Sequence, residues 1–523
     1  MTRSFAREGL FIGAGVVTMD PKGPQTADAV LVVDGHITAV GAAEDLVSEA
    51  EAGGIDVIDC GDSTILPGFV DGHCHFEMAT TVEVGWVHVH TPPYSSLAEI
   101  AKEIARQAAA RPSDQWLLCR SSFAMHEKVE ERRLFTRQEL DEVCGDRPVA
   151  VFASLHVCSL NTLALKALDL WEPNSIHREH GVVHRTADGT PTGVVTEAFL
   201  LIPAVTGERA FKSAVVDKAA NRWNPAGTTT VHTMPESIDQ ARWEMDLHNR
   251  RELSLRQRHY FISPAVGDVA AIANLRKLYD EGDALLRFGG IKLFANGCSH
   301  DGYGHALNDP KFTQEELDDI VLEAHRHGIQ VWIHSLNSQG IASAATAIGR
   351  AADKLPRPHR HRIEHGGDYI DLRDLDLISR SGALLVTTPQ FLYSTSSDLS
   401  EKHAPWRTLI EHGIRLVGAT DSTGTVPDSI AVLRNVAVAV GRHAADGRQV
   451  GPEEAVTVQE ALSMFTTWSS YGGFEEHAKG RIAPGYFADF AILDKNPLIT
   501  PVDEIANIQV LKTVLGGQVV HSA

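Results

Sequence analysis

Ile65-Leu66-Pro67-Gly68-Phe69-Val70-Asp71-Gly72-His73-Cys74-His75 reads as an apolar strand, residues 65–70, that closes on two histidines. In a strand, residues i and i+2 point the same way, so the imidazoles of His73 and His75 face one side and can share a metal ion. Alone, such a pair is a weak signal. Seven further apolar segments of strand length follow, at residues 228–232, 257–262, 290–294, 330–333, 361–363, 383–386 and 415–418. Helical patterns such as Gln314 to His325 and Pro427 to Val440 lie between them. Eight strand–helix alternations predict a (β/α)₈ TIM barrel of the α/β class.

The ends of these segments carry the polar residues. Lys292 is the charged member of Gly290-Ile291-Lys292-Leu293-Phe294, where an ammonium costs free energy unless it is neutralised or modified. His334 ends the fifth segment, His365 the sixth and Asp421 the eighth. The carboxyl ends of barrel strands are where catalytic groups sit in that fold. Taken singly, each residue also reads as a hydrogen-bonded structural histidine or an Asx turn; together they form a coherent set. Neutral imidazoles and a carboxylate suit Zn²⁺ or a similar divalent ion with an open position for water. An ion there lowers the pKa of bound water to about 7 and supplies a hydroxide nucleophile. Asp421 can orient that water, take its proton and deliver it to a leaving nitrogen. Metal-assisted hydrolysis is the expected reaction class.

Outside the barrel the pattern changes. About 150 residues follow the first strand, with an amphipathic helix around Leu97, Ile100 and Ile104 and a turn at Asp188-Gly189-Thr190-Pro191. They read as a lid or substrate domain. Both ends of the chain are β-rich. Asp34-Gly35 marks a hairpin between residues 29–33 and 36–40, and residues 489–493, 510–514 and 519–520 continue the theme. One β domain built from both termini and two independent caps fit this pattern equally well.

Composition removes several classes. Lys and Arg number 47 against 68 Asp and Glu, for a net charge of −21, which disfavours nucleic acid and anionic lipid as partners. Six scattered cysteines without C-x-x-C spacing give no disulfide framework or zinc ribbon. The apolar run from Leu10 to Val17 is too short and too glycine-broken to span a membrane, so a cytoplasmic, soluble protein is expected.

With these residues in place, the chain resembles the amidohydrolase superfamily. Residues 67–75 look like its first-strand signature, and Gly480-Arg481-Ile482-Ala483-Pro484-Gly485-Tyr486-Phe487-Ala488-Asp489 resembles its carboxyl-terminal segment. Residues 155–165 and 188–197 are similar to the YtcJ-like branch that includes N-substituted formamide deformylases. The resemblance implies a distorted barrel over residues 67–479, interrupted by an insert at 77–225. It also implies a β-sandwich from residues 1–66 and 480–523. Implied metal ligands are His73, His75, His334, His365 and Asp421, for one or two ions. Lys292 matches a lysine that is often carboxylated to bridge two metals, and Glu197 is the alternative bridge. The expected substrate is a small-molecule amide, N-acyl, N-formyl or cyclic, and the expected assembly is a homodimer.

The chain also departs from the superfamily. His334 is followed by Ser335-Leu336-Asn337, where deaminases place a catalytic Glu, and an asparagine cannot shuttle a proton. After Lys292 the branch's Asp-Gly is replaced by Asn296-Gly297. The substrate carbonyl could instead meet His156, His232 or His300, each of which also reads as structural. Phe391 is placed for substrate contact, and Trp86, Trp116, Trp332 and Tyr393 are further candidates for an apolar wall. Cys74 points away from its neighbours and reads as core. An esterase, lactonase or deaminase on the same site is the rival reading. A binding protein on a retired barrel is the distant one.

Overall fold

The computed structural model describes residues 8–24, 26–122, 125–154, 156–173, 182–202, 207–263, 265–279, 283–296, 310–394, 404–422 and 429–523. Eight parallel strands form its centre. They are β1 (Phe69–Asp71), β2 (Thr228–Thr233), β3 (Arg256–Ile262), β4 (Leu286–Phe294), β5 (Gln330–His334), β6 (Arg362–Glu364), β7 (Leu384–Thr387) and β8 (Leu416–Gly418), hydrogen-bonded in chain order. β-Branched runs such as Thr228-Thr229-Thr230-Val231 suit strands buried on both faces. The last strand meets the first through Gly72 N, which donates to Gly418 O, and Asp421 N, which donates to His73 O, both at 2.9 Å. Asp71 fastens this seam by accepting from Thr420 N at 2.9 Å and from Thr420 Oγ1 at 2.5 Å. The result is a (β/α)₈ barrel.

The segment 65–70 is two strands rather than one. Thr64–Pro67 pairs antiparallel with Phe490–Leu493, and only Phe69–Asp71 enters the barrel. Pro67 has no N–H to continue a ladder, and Gly68 N turns away to donate 2.8 Å to Asp489 O. The helix expected from Pro427 runs Val432–Gly441. Residues 423–428 lie outside the described residues.

Strands from the two ends of the chain meet. Gly15–Val16, Thr64–Pro67, Phe490–Leu493, Val510–Leu515 and Gln518–Ser522 form one sheet, and His36–Gly41, Ala29–Val33, Gly9–Ile12 and Val57–Asp59 another. Phe11, Val30 and Ile37 from one end share a core with Phe490, Ile492 and Val514 from the other. At Asp34-Gly35 both residues have positive φ, 50° and 75°, as a two-residue hairpin turn needs. The stretch after β1 folds around a six-stranded mixed sheet, and helix Leu97–Ala109 buries Leu97, Ile100 and Ile104 beside it. No helix among the described residues is long and apolar enough to cross a membrane.

Inside the barrel, aromatic packing sets the height of the site. Trp332 lies between Tyr260, centroid distance 3.5 Å, and His73, at 5.3 Å and 25° between planes. Gly289 lets Tyr260 lie flat there, because a Cβ at that position would come within 2.5 Å of its ring. The Tyr260 ring is pinned by Gln330 and Arg258 and cannot yield. Gly289→Ala is therefore expected to destabilise the fold by about 1–3 kcal/mol. An unchanged denaturation midpoint would show that the ring has room to move.

Candidate metal centre

The residues that matter lie at the carboxyl ends of the strands. His73 and His75 follow β1, Lys292 lies on β4, His334 ends β5, His365 follows β6 and Asp421 follows β8. The His73, His75 and Asp421 ligand atoms lie within 4.8 Å of one another. Asp421 Oδ1 is 3.3 Å from His75 Nε2 and 3.5 Å from His73 Nε2. His365 adds its ring 5.2 Å from that of His73 and 4.9 Å from that of His334. Lys292 Nζ reaches 3.4 Å from His73 Nε2.

Backbone geometry aims these groups. Strand alternation puts Arg362 and Glu364 inside the barrel, which would turn the next side chain outward. His365 breaks the alternation with φ 64°, so its ring joins the cluster as well. Asp421 and Glu197 also have positive φ, 48° and 55°. Three left-handed non-glycine residues in one site mark conformations held by their surroundings.

Burial lowers the pKa of every histidine in the group. At His73 the Lys292 charge adds to it, at His334 the His365 charge does, and His365 falls to about 4. The imidazoles are therefore neutral at pH 7, the form that ligates metals. His73 Nδ1 donates 2.5 Å to Glu364 Oε2, which leaves Nε2 with its lone pair facing Asp421. Burial works to raise the Asp421 carboxyl, but the His75 hydrogen bond and the three surrounding histidines hold it well below the usual range. Burial brings the Lys292 ammonium down to about 8, against the pull of Glu364 and Asp421. Asp421 Oδ1, whose contact with His75 Nε2 is a long 3.3 Å, and His334 Nε2 are buried and have no hydrogen-bond partner of ordinary geometry. Buried polar atoms left open in this way, beside neutral imidazoles and an ionised carboxylate, fit a divalent cation.

The stretch after β1 completes the mouth. Strands Val157–Leu160 and Pro191–Thr196 are antiparallel neighbours, and this pairing sets His156 beside Glu197. Glu197 Oε1 accepts from His156 Nδ1 at 2.8 Å and Oε2 from Lys311 Nζ at 2.6 Å. Burial raises this carboxyl, yet the His156 and Lys311 charges prevail and bring it to about 2. With both oxygens engaged, Glu197 stands as an ion-paired wall of the cavity. Lys292 Nζ, 3.4 Å from His73 Nε2, also touches the histidine cluster. The cavity is also lined by Met78, Phe199, Met234, Glu236, Ile262 and Phe294.

Two expected substrate contacts lie elsewhere. His232 is fully buried inside the barrel near Trp332, with Arg362 Nη1 3.4 Å from its Nδ1 and Glu475 3.8 Å from its Nε2. Its position on β2 is two residues before Met234, which does line the cavity. Phe391 packs 5.2 Å from the His365 ring and is not part of the described cavity lining. His300 lies outside the described residues. Cys74 is buried among Phe76, Phe211 and Trp223. Sequence reading did not single out Glu364, Glu236 or Lys311. Only Glu364 left a trace, as the alternate-position partner of Arg362 on a short strand.

A parallel barrel with histidines and an aspartate converging at its carboxyl face defines a metal-dependent hydrolase. The family-level match agrees. The amidohydrolase family profile matches residues 56–521, and the chain belongs to that family. It is an enzyme acting on carbon–nitrogen bonds, of the YtcJ-like, N-substituted formamide deformylase branch. It is 27% identical to the N-substituted formamide deformylase of Arthrobacter pascens over 540 residues, covering 98% of each chain. It is 24% identical to the putative amidohydrolase YtcJ of Bacillus subtilis (strain 168) over 549 residues, covering 98% of this chain and 99% of that one. Among solved structures it resembles an uncharacterized metal-dependent hydrolase from Pyrococcus horikoshii OT3. That match has a TM-score of 0.71 and 19% identity and covers 95% of this chain and 99% of that one.

Proposed function

We propose that this enzyme hydrolyses the amide bond of N-formyl or N-acyl derivatives of small apolar amines, with Asp421 moving the proton. The observation that carries this reading is Asp421 itself. It is an ionised carboxylate with one unpartnered oxygen, within 3.5 Å of two neutral imidazoles, at the edge of a cavity with an apolar wall. Similarity to a formamide deformylase along the whole chain supports the choice of bond.

Zn²⁺, as one or two ions held by His73, His75, His334, His365 and Asp421, would polarise the carbonyl and make water nucleophilic at neutral pH. Lys292 fits a bridging role, because an ammonium brought to about 8 leaves part of the population as the free amine that carbon dioxide carboxylates. The chain's own groups divide the remaining work. Asp421 Oδ1 accepts the proton of the attacking water and returns it to the departing nitrogen. Lys311, held by Glu197 beside His156, presents N–H donors to the cavity, where the carbonyl oxygen gains charge. The amine side has its own room. A second cavity shares Met78, Phe199 and Glu236 with the first and adds Trp86, Leu118 and Ile202. Asn337 caps helix Ser338–Lys354 by accepting from Gly340 N at 2.8 Å, which commits it to structure and speaks against deamination.

The test is a panel of N-substituted formamides, acetamides and cyclic amides with matched esters, read as amine or alcohol release. Amide turnover that disappears on chelation and returns with Zn²⁺ is expected. Faster ester than amide turnover, or turnover indifferent to chelation, would overturn the reading.

A further inference from the structure

A second group of ligand atoms lies on the helix side of the barrel, away from Asp421. Helix α1 (Phe76–Gly85) carries Glu77, helix α2 (Ile238–Asn249) carries Glu244, and β3 carries His259. Strand alternation decides where they meet. Tyr260 fills the barrel, so His259 points outward to the helices. One ligand atom from each of the three residues lies within 4.8 Å of the others, and all three side chains are fully buried. His259 Nε2 is 3.2 Å from Glu244 Oε2, 3.7 Å from Glu77 Oε1 and 3.1 Å from Gln257 Oε1.

Two carboxyl groups in such a place need either protons or a cation. Among the described residues no lysine or arginine forms an ion pair with either. Glu77 Oε2 accepts from Thr233 Oγ1, but Glu77 Oε1 and both Glu244 oxygens accept no hydrogen bond of ordinary geometry. Such unpartnered oxygens are costly in a dry interior.

We propose that Glu77, Glu244 and His259, with the Gln257 carbonyl as fourth donor, bind a divalent cation of the zinc class at a site separate from the catalytic centre. One dication neutralises two carboxylates, and one imidazole nitrogen with oxygen donors suits Zn²⁺ in four-coordinate geometry. His259 is prepared for it. Its Nδ1 lies 2.8 Å from Tyr279 Oη, which can accept the Nδ1 proton once Nε2 ligates. The ion would tie α1, which starts directly after His73-Cys74-His75, to α2 and β3. It would brace the catalytic histidines from behind.

Zinc-edge anomalous diffraction from crystals of the full chain grown with Zn²⁺ reads each site separately. Density between Glu77, Glu244 and His259 is expected whether or not the Asp421 site is filled. Its absence under saturating Zn²⁺ would overturn the proposal and identify the group as a proton-sharing carboxyl pair. In solution, Glu244→Gln should lose one zinc equivalent per chain relative to wild type. Equal zinc content in Glu244→Gln and wild type would count against the site. If Glu244→Gln fails to fold, the wild-type anomalous map still decides.

Discussion

Asp421→Asn is expected to lower kcat on amide substrates by about 10²–10⁴-fold while leaving the fold intact, the range that a positioned proton-transfer group supplies. Asparagine is the informative replacement. Position 421 has φ 48°, which asparagine tolerates and a β-branched or bulky side chain does not. The backbone bond from Asp421 N to His73 O at 2.9 Å is untouched by the change. What disappears is the charge and the proton-accepting oxygen facing His73 and His75. Because the histidine cluster holds that carboxyl below the usual range, wild-type Asp421 is ionised throughout the neutral region. The loss in the variant should therefore be flat from about pH 6 to pH 9 rather than confined to one limb. Steady-state kinetics, with metal content measured on the same sample, checks this. A decrease of less than about tenfold with metal still bound would remove Asp421 from proton transfer.

How far the sequence reveals this site depends on whether a residue's position follows from periodicity. His73, His75, Lys292, His334 and Asp421 could be read because each ends or occupies an apolar strand, and a strand delivers side chains on a fixed alternation. His365 was legible as a strand end, but its partnership with Glu364 was not. Glu364 faces the interior by alternation, and His365 joins it only because φ turns positive there, a reversal that a single sequence does not disclose. Trp332 read as pocket lining and instead fills the barrel between Tyr260 and His73, since residues facing the axis differ in height by one pair along the strand. The same difference removes His232 from the mouth. Lys311 belongs to no periodic element, and its role depends on Glu197 arriving from a distant sheet. The boundary at Pro67-Gly68 was blurred because both halves of 65–70 are apolar. Only the partner strand, Phe490–Leu493, distinguishes them. Pattern discloses elements and their ends; it discloses little about contacts that close through loops.

Glu364→Ala is expected to have the largest effect on stability, because it strands a charge. Glu364 is fully buried and its carboxylate holds two groups at once. Oε2 accepts from His73 Nδ1 at 2.5 Å and from Arg362 Nη2 at 2.7 Å, while Oε1 accepts from Arg362 Nε at 2.9 Å. Without it the Arg362 guanidinium keeps the carbonyl of Gly72, at 2.7 Å, the long contact to His232 Nδ1, at 3.4 Å, and the Trp332 ring, 3.8 Å below, but no carboxylate. Removing one member of a buried pair in this way costs about 3–5 kcal/mol, through the uncompensated charge more than through the lost attraction. A second loss runs through His73. Its Nδ1 would lose the acceptor that fixes the ring and keeps Nε2 free to ligate, which typically weakens metal affinity by about 10–100-fold. The two losses can be separated. Replacing both partners, Arg362→Met with Glu364→Leu, removes the stranded charge and should recover most of the unfolding midpoint. The metal affinity should stay low, because no acceptor for Nδ1 returns. Denaturation midpoints and zinc competition titrations on the single and double variants read the two quantities apart. Recovery of both in the double variant would mean that Glu364 serves only to neutralise Arg362, and that His73 is oriented by its stacking on Trp332 alone.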